Sequence, residues 1–221
     1  MKSSKHTDPS PKTVQTVMEI LLNTYRNHPM HEAFKHDTFQ MLIAVVLSQR
    51  ATDAMTIPVA KQLFLQAPSA KDIAELPTET LEAIIRTIGF YHAKAAALKK
   101  LSTAIVTRHG GKVPSSELEL LALPQVGRKT ANIILTMFFD TPQIAVDVHV
   151  DRIAHRLGWI YTKTPEQSEV ALTRIIPKKF HISANHVFVR HGQVTCRPLS
   201  PWCSRCPIRA YCPRIGVTNS R

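Results

Sequence analysis

The chain is poor in glycine, with 7 in 221 residues, and only Gly110-Gly111 reads as a glycine hinge. Turn clusters spaced regularly between β-branched runs are missing, which speaks against an all-β protein. Cysteine does not occur before position 196, so a disulfide scaffold spread through the fold is excluded. The longest apolar run, Met41 to Leu47, is far shorter than the roughly 20 residues a membrane-spanning helix needs. Internal repeats and low-complexity tracts are absent, so a repeat architecture is not indicated. Met1 to Lys12 is polar and lacks the apolar segment of a secretory signal; it is expected to be a frayed end. Acidic residues are outnumbered, 16 against 28 lysines and arginines. These absences lead to the expectation of a soluble protein with no membrane partner, working in the cytoplasm.

What is present points to helices around a sizeable core. Apolar residues make up 44% of the chain, and Leu, Ala, Ile and Lys are abundant. The length suits one large domain or two small ones sharing a cleft. The net charge of +12 attracts polyanions and speeds their encounter. Nucleic acid is the first partner to consider, an anionic membrane the second, and a mere solubility charge the bland alternative. The cations are dispersed, as on a folded basic surface.

Apolar spacing predicts about ten helices. Val14, Val17, Met18, Leu21 and Leu22 line a first one, and Phe39 to Leu47 is apolar on nearly every side, as in a buried central helix. Leu81, Ile84, Ile85 and Ile88 line another, expected to end at Gly89. Ala97, Leu98, Leu101, Ala104 and Ile105 line the next, stopped by Gly110-Gly111. Ser116 with Glu119 predicts a capping box. Thr164, Pro165 and Gln167 mark a further start, and Pro177 the end of that helix. The composition shifts near Pro142.

The most informative stretch is Leu121 to Ala131, LALPQVGRKTA. A short helix runs into Pro124-Gln125-Val126-Gly127, and a second helix starts near Arg128. A tight hairpin leading into a helix start offers several backbone N–H groups to one phosphate, whatever the base sequence. Arg128 and Lys129 place two cations in a first turn, where the macrodipole disfavours them, so function rather than stability explains the pair. The positive helix end and the neighbouring cation favour the neutral amine at Lys129, the form a nucleophile needs. The plain alternatives are an ordinary helix connection and a phosphate-binding lysine. Downstream, Asp147 stands before the expected helix Val148 to Leu157, where aspartate is a good cap.

The segment resembles the helix-hairpin-helix motif of the endonuclease III superfamily of DNA glycosylases, and Ile144 to Arg152 resembles that family's second signature. The resemblance runs from about Phe39 to Cys212. It implies an all-α protein with two helical domains flanking a DNA-binding cleft. Residues 31–141 would form a six-helix domain bearing the hairpin. Residues 12–30 and 142–221 would form the other domain. The resemblance further implies Lys129 as covalent nucleophile and Asp147 as the carboxylate facing it, while His149 and Arg152 read as structural or phosphate contacts. DNA contact is implied for Gln125, Val126, Gly127, Arg128 and Thr130. Ile88-Gly89-Phe90-Tyr91 resembles the family's wedge loop, with Phe90 inserted where a base has been flipped out; a core position is the alternative. Leu47 to Asp53 resembles another DNA-facing signature. The family usually has glycine in place of Gln125, and often Ala-Gln in place of Gln49-Arg50, so Arg50 occupies the gap-filling position and either side chain could fill it.

Cys196, Cys203, Cys206 and Cys212 are spaced C-x6-C-x2-C-x5-C. Four thiolates in one loop can surround a metal centre, and spacing alone leaves zinc and iron–sulfur open. The resemblance implies a 4Fe-4S cluster, with Arg197, Arg205 and Arg209 as neighbouring cations. The function implied is base-excision repair by a monomer: a bifunctional DNA N-glycosylase with AP lyase activity, acting with the nucleoid on double-stranded DNA that carries damaged pyrimidines or abasic sites. Two alternatives stand beside it. A monofunctional mismatch glycosylase would release base without nicking; a non-catalytic DNA-binding iron–sulfur protein would be indifferent to Asp147→Asn.

Overall fold

A computed structural model describes residues 9–26 and 29–221, and every regular element among them is helical. The chain divides into two compact units. Pro29–Thr141 holds eight α-helices: α2 (Pro29–Phe34), α3 (Thr38–Leu47), α4 (Asp53–Gln66), α5 (Ala70–Glu75), α6 (Thr78–Ile85), α7 (Tyr91–His109), α8 (Glu117–Leu121) and α9 (Arg128–Phe138). The other unit joins α1 (Pro11–Thr24) to α10 (Val148–Arg156), α11 (Pro165–Ile175) and α12 (His181–Val194). Three short 3-10 turns, Lys178–Phe180, Cys203–Arg205 and Arg209–Tyr211, complete it. The described residues thus form twelve α-helices, where apolar spacing alone suggested about ten.

In the first unit α3 is the centre. Asp37 caps it by accepting from the Gln40 N–H at 2.9 Å, and Phe39 and every residue from Met41 to Leu47 are buried. It packs against α2, α4, α7 and α9, and burial of each large side chain contributes about 1.5–3 kcal/mol. A charge at Leu42 or Leu47 would therefore disrupt the unit. Around it α5 and α6 lie on α7, and α8 lies on α9. In the second unit Val14, Val17, Met18 and Leu21 of α1 pack with Val150, Ile153, Trp159, Leu172, Val187 and Phe188. Trp159 meets Phe188 edge-on at 5.9 Å.

Several local expectations need correction. The helix starting at Pro11, with Ser10 accepting from the Thr13 N–H, takes in the last residues of the expected frayed end; Met1–Asp8 lie outside the described residues. The helix expected to reach Gly89 stops at Ile85, and buried Ile88 follows in a turn whose N–H donates to the Ile85 carbonyl. An apolar residue three past a helix end extends the periodic pattern whether or not the helix continues. At α8, Ser116 accepts from the Glu119 N–H, but the Glu119 carboxylate takes the Ser116 hydroxyl. The complete reciprocal box lies instead at Ser69 and Asp72, before α5. Among the described residues no helix is long and apolar enough to cross a membrane.

Candidate active site and cysteine cavity

The hairpin between α8 and α9 is anchored from below. Leu123 and Val126 are buried, and the Val126 N–H donates to the Leu123 carbonyl at 3.3 Å. Gln125 between them takes φ 65°, the left-handed region that glycine enters without cost. The hairpin therefore keeps a glycine-type turn without the glycine, at a cost of about 1–3 kcal/mol. Gly127 caps α9 with an ordinary φ of −91°, and an added Cβ would meet nothing within 4 Å. Neither backbone conformation nor packing within the chain demands glycine there. It offers no side-chain cap to the first turn of α9.

That turn carries the two cations. Arg128 pairs with Glu117 at 3.8 Å, both half exposed, a contact worth about 0–1 kcal/mol. Lys129 is exposed at the second position of α9. Thr130 and Val126, both named as DNA contacts, are each only 5% exposed, so neither side chain stands out at the surface.

Three other residues named from the sequence come together within this unit. The Gln49 side-chain amide donates to the Gln125 carbonyl at 3.4 Å. Arg50 has φ 59° and its guanidinium lies 5.6 Å from the centre of the Phe90 ring. Phe90 has φ 62°, directly precedes α7 and is 65% exposed, so it is not a core residue. Arg50, Phe90 and Gln125 thus all sit in the strained left-handed region. Strain of that kind persists only where the surroundings over-determine it, and it concentrates at functional sites. Sequence reading missed Lys94, whose buried ammonium donates to the Leu47 and Gln49 carbonyls at 2.7 Å each. A cation in the first turn of a helix, the signal used for Lys129, marks it equally well.

In the second unit Asp147 caps α10. Its Oδ1 accepts from the His149 N–H at 2.9 Å and the Val150 N–H at 3.0 Å. Two N–H donors on one carboxylate oxygen fix its position. Arg152, in the same helix, donates from its guanidinium to the Cys196 and Gly192 carbonyls and lies 3.0 Å from the His149 Nδ1.

The four cysteines are free thiols lining one cavity with Ile153, Leu157, Ile208 and Val217. Among the described residues no three of His, Cys, Asp or Glu gather closely enough to hold a single ion. Four sulfurs lining one cavity can take a metal centre, and this donor set is one that both zinc and an iron–sulfur cluster use. Burial and then the neighbouring sulfurs push the Cys206 thiol up to about 11, and burial raises Cys212 as well. Cationic metal is what such thiols need to become thiolates, so the residues present fit an iron–sulfur cluster. The charge that meets them is not mainly the one expected. Arg156, unremarked in the sequence, donates to the Cys196 Sγ at 3.2 Å, the Arg197 carbonyl at 2.7 Å and the Pro198 carbonyl at 2.7 Å. Of the expected cations, Arg209 lines the cavity, Arg205 stacks on Trp202 at 4.2 Å and Arg197 turns to the Gln193 carbonyl. His191 was also missed. Its Nε2 is 3.7 Å from the Cys206 Sγ and its Nδ1 is 3.0 Å from the Tyr25 hydroxyl. Burial, then the Arg152 charge, lowers its pKa to about 4, so it is neutral.

Comparison with known proteins agrees with these features. Residues 43–178 match the family described as HhH-GPD superfamily base excision DNA repair protein. The endonuclease III of Thermotoga maritima is 40% identical over 88% of this chain and 89% of its own length. The endonuclease III of Escherichia coli K12 is 36% identical over 88% of this chain and 93% of its own. Among solved structures, a trapped covalent intermediate of endonuclease III with DNA superposes with a TM-score of 0.82 at 33% identity, covering 93% of this chain and 97% of that one. A thermostable thymine-DNA glycosylase, at 22% identity and a TM-score of 0.81, shares the fold. The chain belongs to the HhH-GPD superfamily of base excision DNA repair proteins.

Proposed function

We propose that the protein is a bifunctional DNA glycosylase and AP lyase that removes damaged pyrimidines from double-stranded DNA, with Lys129 as nucleophile and Asp147 as the electrostatic partner. The observation that carries this reading is the likeness to a covalently trapped endonuclease III–DNA complex, together with an exposed lysine in the first turn of the hairpin helix of this chain. Gly127, which nothing within the chain requires, supports the approach of a phosphate to that turn. The place of action that fits such a substrate is the cytoplasm, with the nucleoid.

The chemistry follows from these groups. The neutral Lys129 amine attacks the deoxyribose C1′. The N-glycosidic bond breaks, and the base leaves with the bonding pair and takes up a proton. Positive charge develops on the sugar as that bond lengthens, and the fixed Asp147 carboxylate stabilises it. The secondary amine opens the ring to a Schiff base, which acidifies the C2′ proton. Loss of that proton expels the 3′ phosphate by β-elimination, and water returns the lysine. Cys196, Cys203, Cys206 and Cys212 would hold a 4Fe-4S cluster, whose contribution is to keep this loop folded.

The test uses a duplex bearing thymine glycol, with borohydride added. The wild type should nick the strand and yield a trapped protein–DNA adduct, and Lys129→Gln should bind but yield neither. Trapping that survives this substitution removes Lys129 from the reaction. Base release without any nick identifies a monofunctional enzyme instead.

A further inference from the structure

Lys94 is placed to hold two surface turns at once. Its main-chain N–H donates to the Phe90 carbonyl at 3.0 Å, in the first turn of α7. Its side chain, 9% exposed, runs the other way to the C-terminal end of α3, where Nζ donates to the Leu47 and Gln49 carbonyls at 2.7 Å each. On one side of this link Phe90 stands in left-handed conformation. On the other, Gln49 reaches the hairpin at Gln125, and Arg50, also left-handed, lies over the Phe90 ring.

A buried ammonium is a costly way to cap a helix. Desolvation opposes its charge, and the dipole of its own helix opposes it again. The two carbonyls at the end of α3 repay part of this, since hydrogen bonds from charged donors are stronger than neutral ones. Capping α3 would need only a glycine or a local side chain. A lysine on another helix adds what those cannot: it sets the distance and orientation between the Gln49–Arg50 turn and Phe90.

We propose that Lys94 is a positioning residue for DNA recognition, fixing the turn of Gln49 and Arg50 against that of Phe90 so that the three side chains meet the duplex preset. The inference rests on the DNA-repair reading above. Preset groups bind more tightly because less ordering is left to be done in the complex. Lys94 touches no reacting atom; it acts only through Gln49, Arg50 and Phe90.

A double-mutant cycle separates this role from a general structural one. Affinity is measured for a duplex containing a tetrahydrofuran abasic analogue, which cannot react. Lys94→Met should weaken binding about tenfold in the wild-type background. In the Gln49→Ala/Arg50→Ala background the same change should cost less than about twofold, because the side chains it sets against Phe90 are gone. Single-turnover cleavage at saturating DNA should change by less than about twofold. Wild-type affinity in Lys94→Met, or an equal loss in both backgrounds, overturns the inference. Should Lys94→Met not fold, Lys94→Gln, whose amide reaches one carbonyl, goes through the same cycle with the same criteria. If the wild type prefers the abasic duplex no more than an undamaged one, the repair reading fails and takes this inference with it.

Discussion

The side-chain amide of Gln49 meets the main-chain carbonyl of Gln125 at 3.4 Å, joining the turn after α3 to the hairpin before α9. Because the acceptor is main chain, any residue at 125 can supply it, provided that it tolerates φ 65°. Gln125→Gly relieves that strain but frees the unfolded chain, so it should lie within about 1 kcal/mol of the wild type, on the stabilising side. Gln125→Val, branched at Cβ, should lose about 1–3 kcal/mol. Thermal denaturation reads both, and a valine variant as stable as the wild type would show that the turn relaxes to another conformation.

Asp147 caps α10, and different substitutions separate that duty from the catalytic one proposed for it. Asparagine keeps an Oδ1 acceptor for the His149 and Val150 N–H groups, so Asp147→Asn should melt with the wild type. It loses the charge, and base release should fall by at least about 100-fold. Asp147→Ala should lose the activity and about 1 kcal/mol of stability as well. Full activity in the asparagine variant would leave Asp147 a cap and nothing more.

Arg156 joins three points of the cysteine loop: the Cys196 sulfur and the carbonyls of Arg197 and Pro198. Arg156→Met leaves those part-buried acceptors without their charged donor and should cost about 1–3 kcal/mol in urea unfolding. Iron and sulfide per chain should fall with it. Lysine cannot reproduce the planar fork, so Arg156→Lys should recover only part of the loss. Unchanged metal content in Arg156→Met would separate this guanidinium from the loop's integrity.

Gly192 lies inside α12, where alanine is ordinarily better by about 1 kcal/mol. Here an added Cβ would come within 2.4 Å of the His149 Nδ1 and 2.9 Å of the Arg152 Nη2. Arg152 is held by the Cys196 and Gly192 carbonyls, so it cannot simply swing aside. Gly192→Ala should therefore destabilise by about 1–3 kcal/mol, reversing the intrinsic preference. A stabilised variant in calorimetry would mean that α10 and α12 separate more easily than their packing suggests.

The sequence alone carried the helical class, because apolar spacing is a local property: Phe39 to Leu47 reads as a buried helix wherever it is placed. It also carried the cysteine spacing and the unfavourable cations at Arg128 and Lys129, since a helix start acts on the residues next to it. Contacts between distant segments were not legible. Nothing near Lys94 announces that its ammonium reaches carbonyls 45 and 47 positions earlier. Nothing near Arg156 marks it as the partner of Cys196, and an i,i+4 pair with Arg152 looks like any basic helix face. That Gln125 would take the conformation of the missing glycine was likewise decided by tertiary structure. Buried Leu123 and Val126 anchor the hairpin on both sides, and the packing they contribute exceeds the strain at one residue between them.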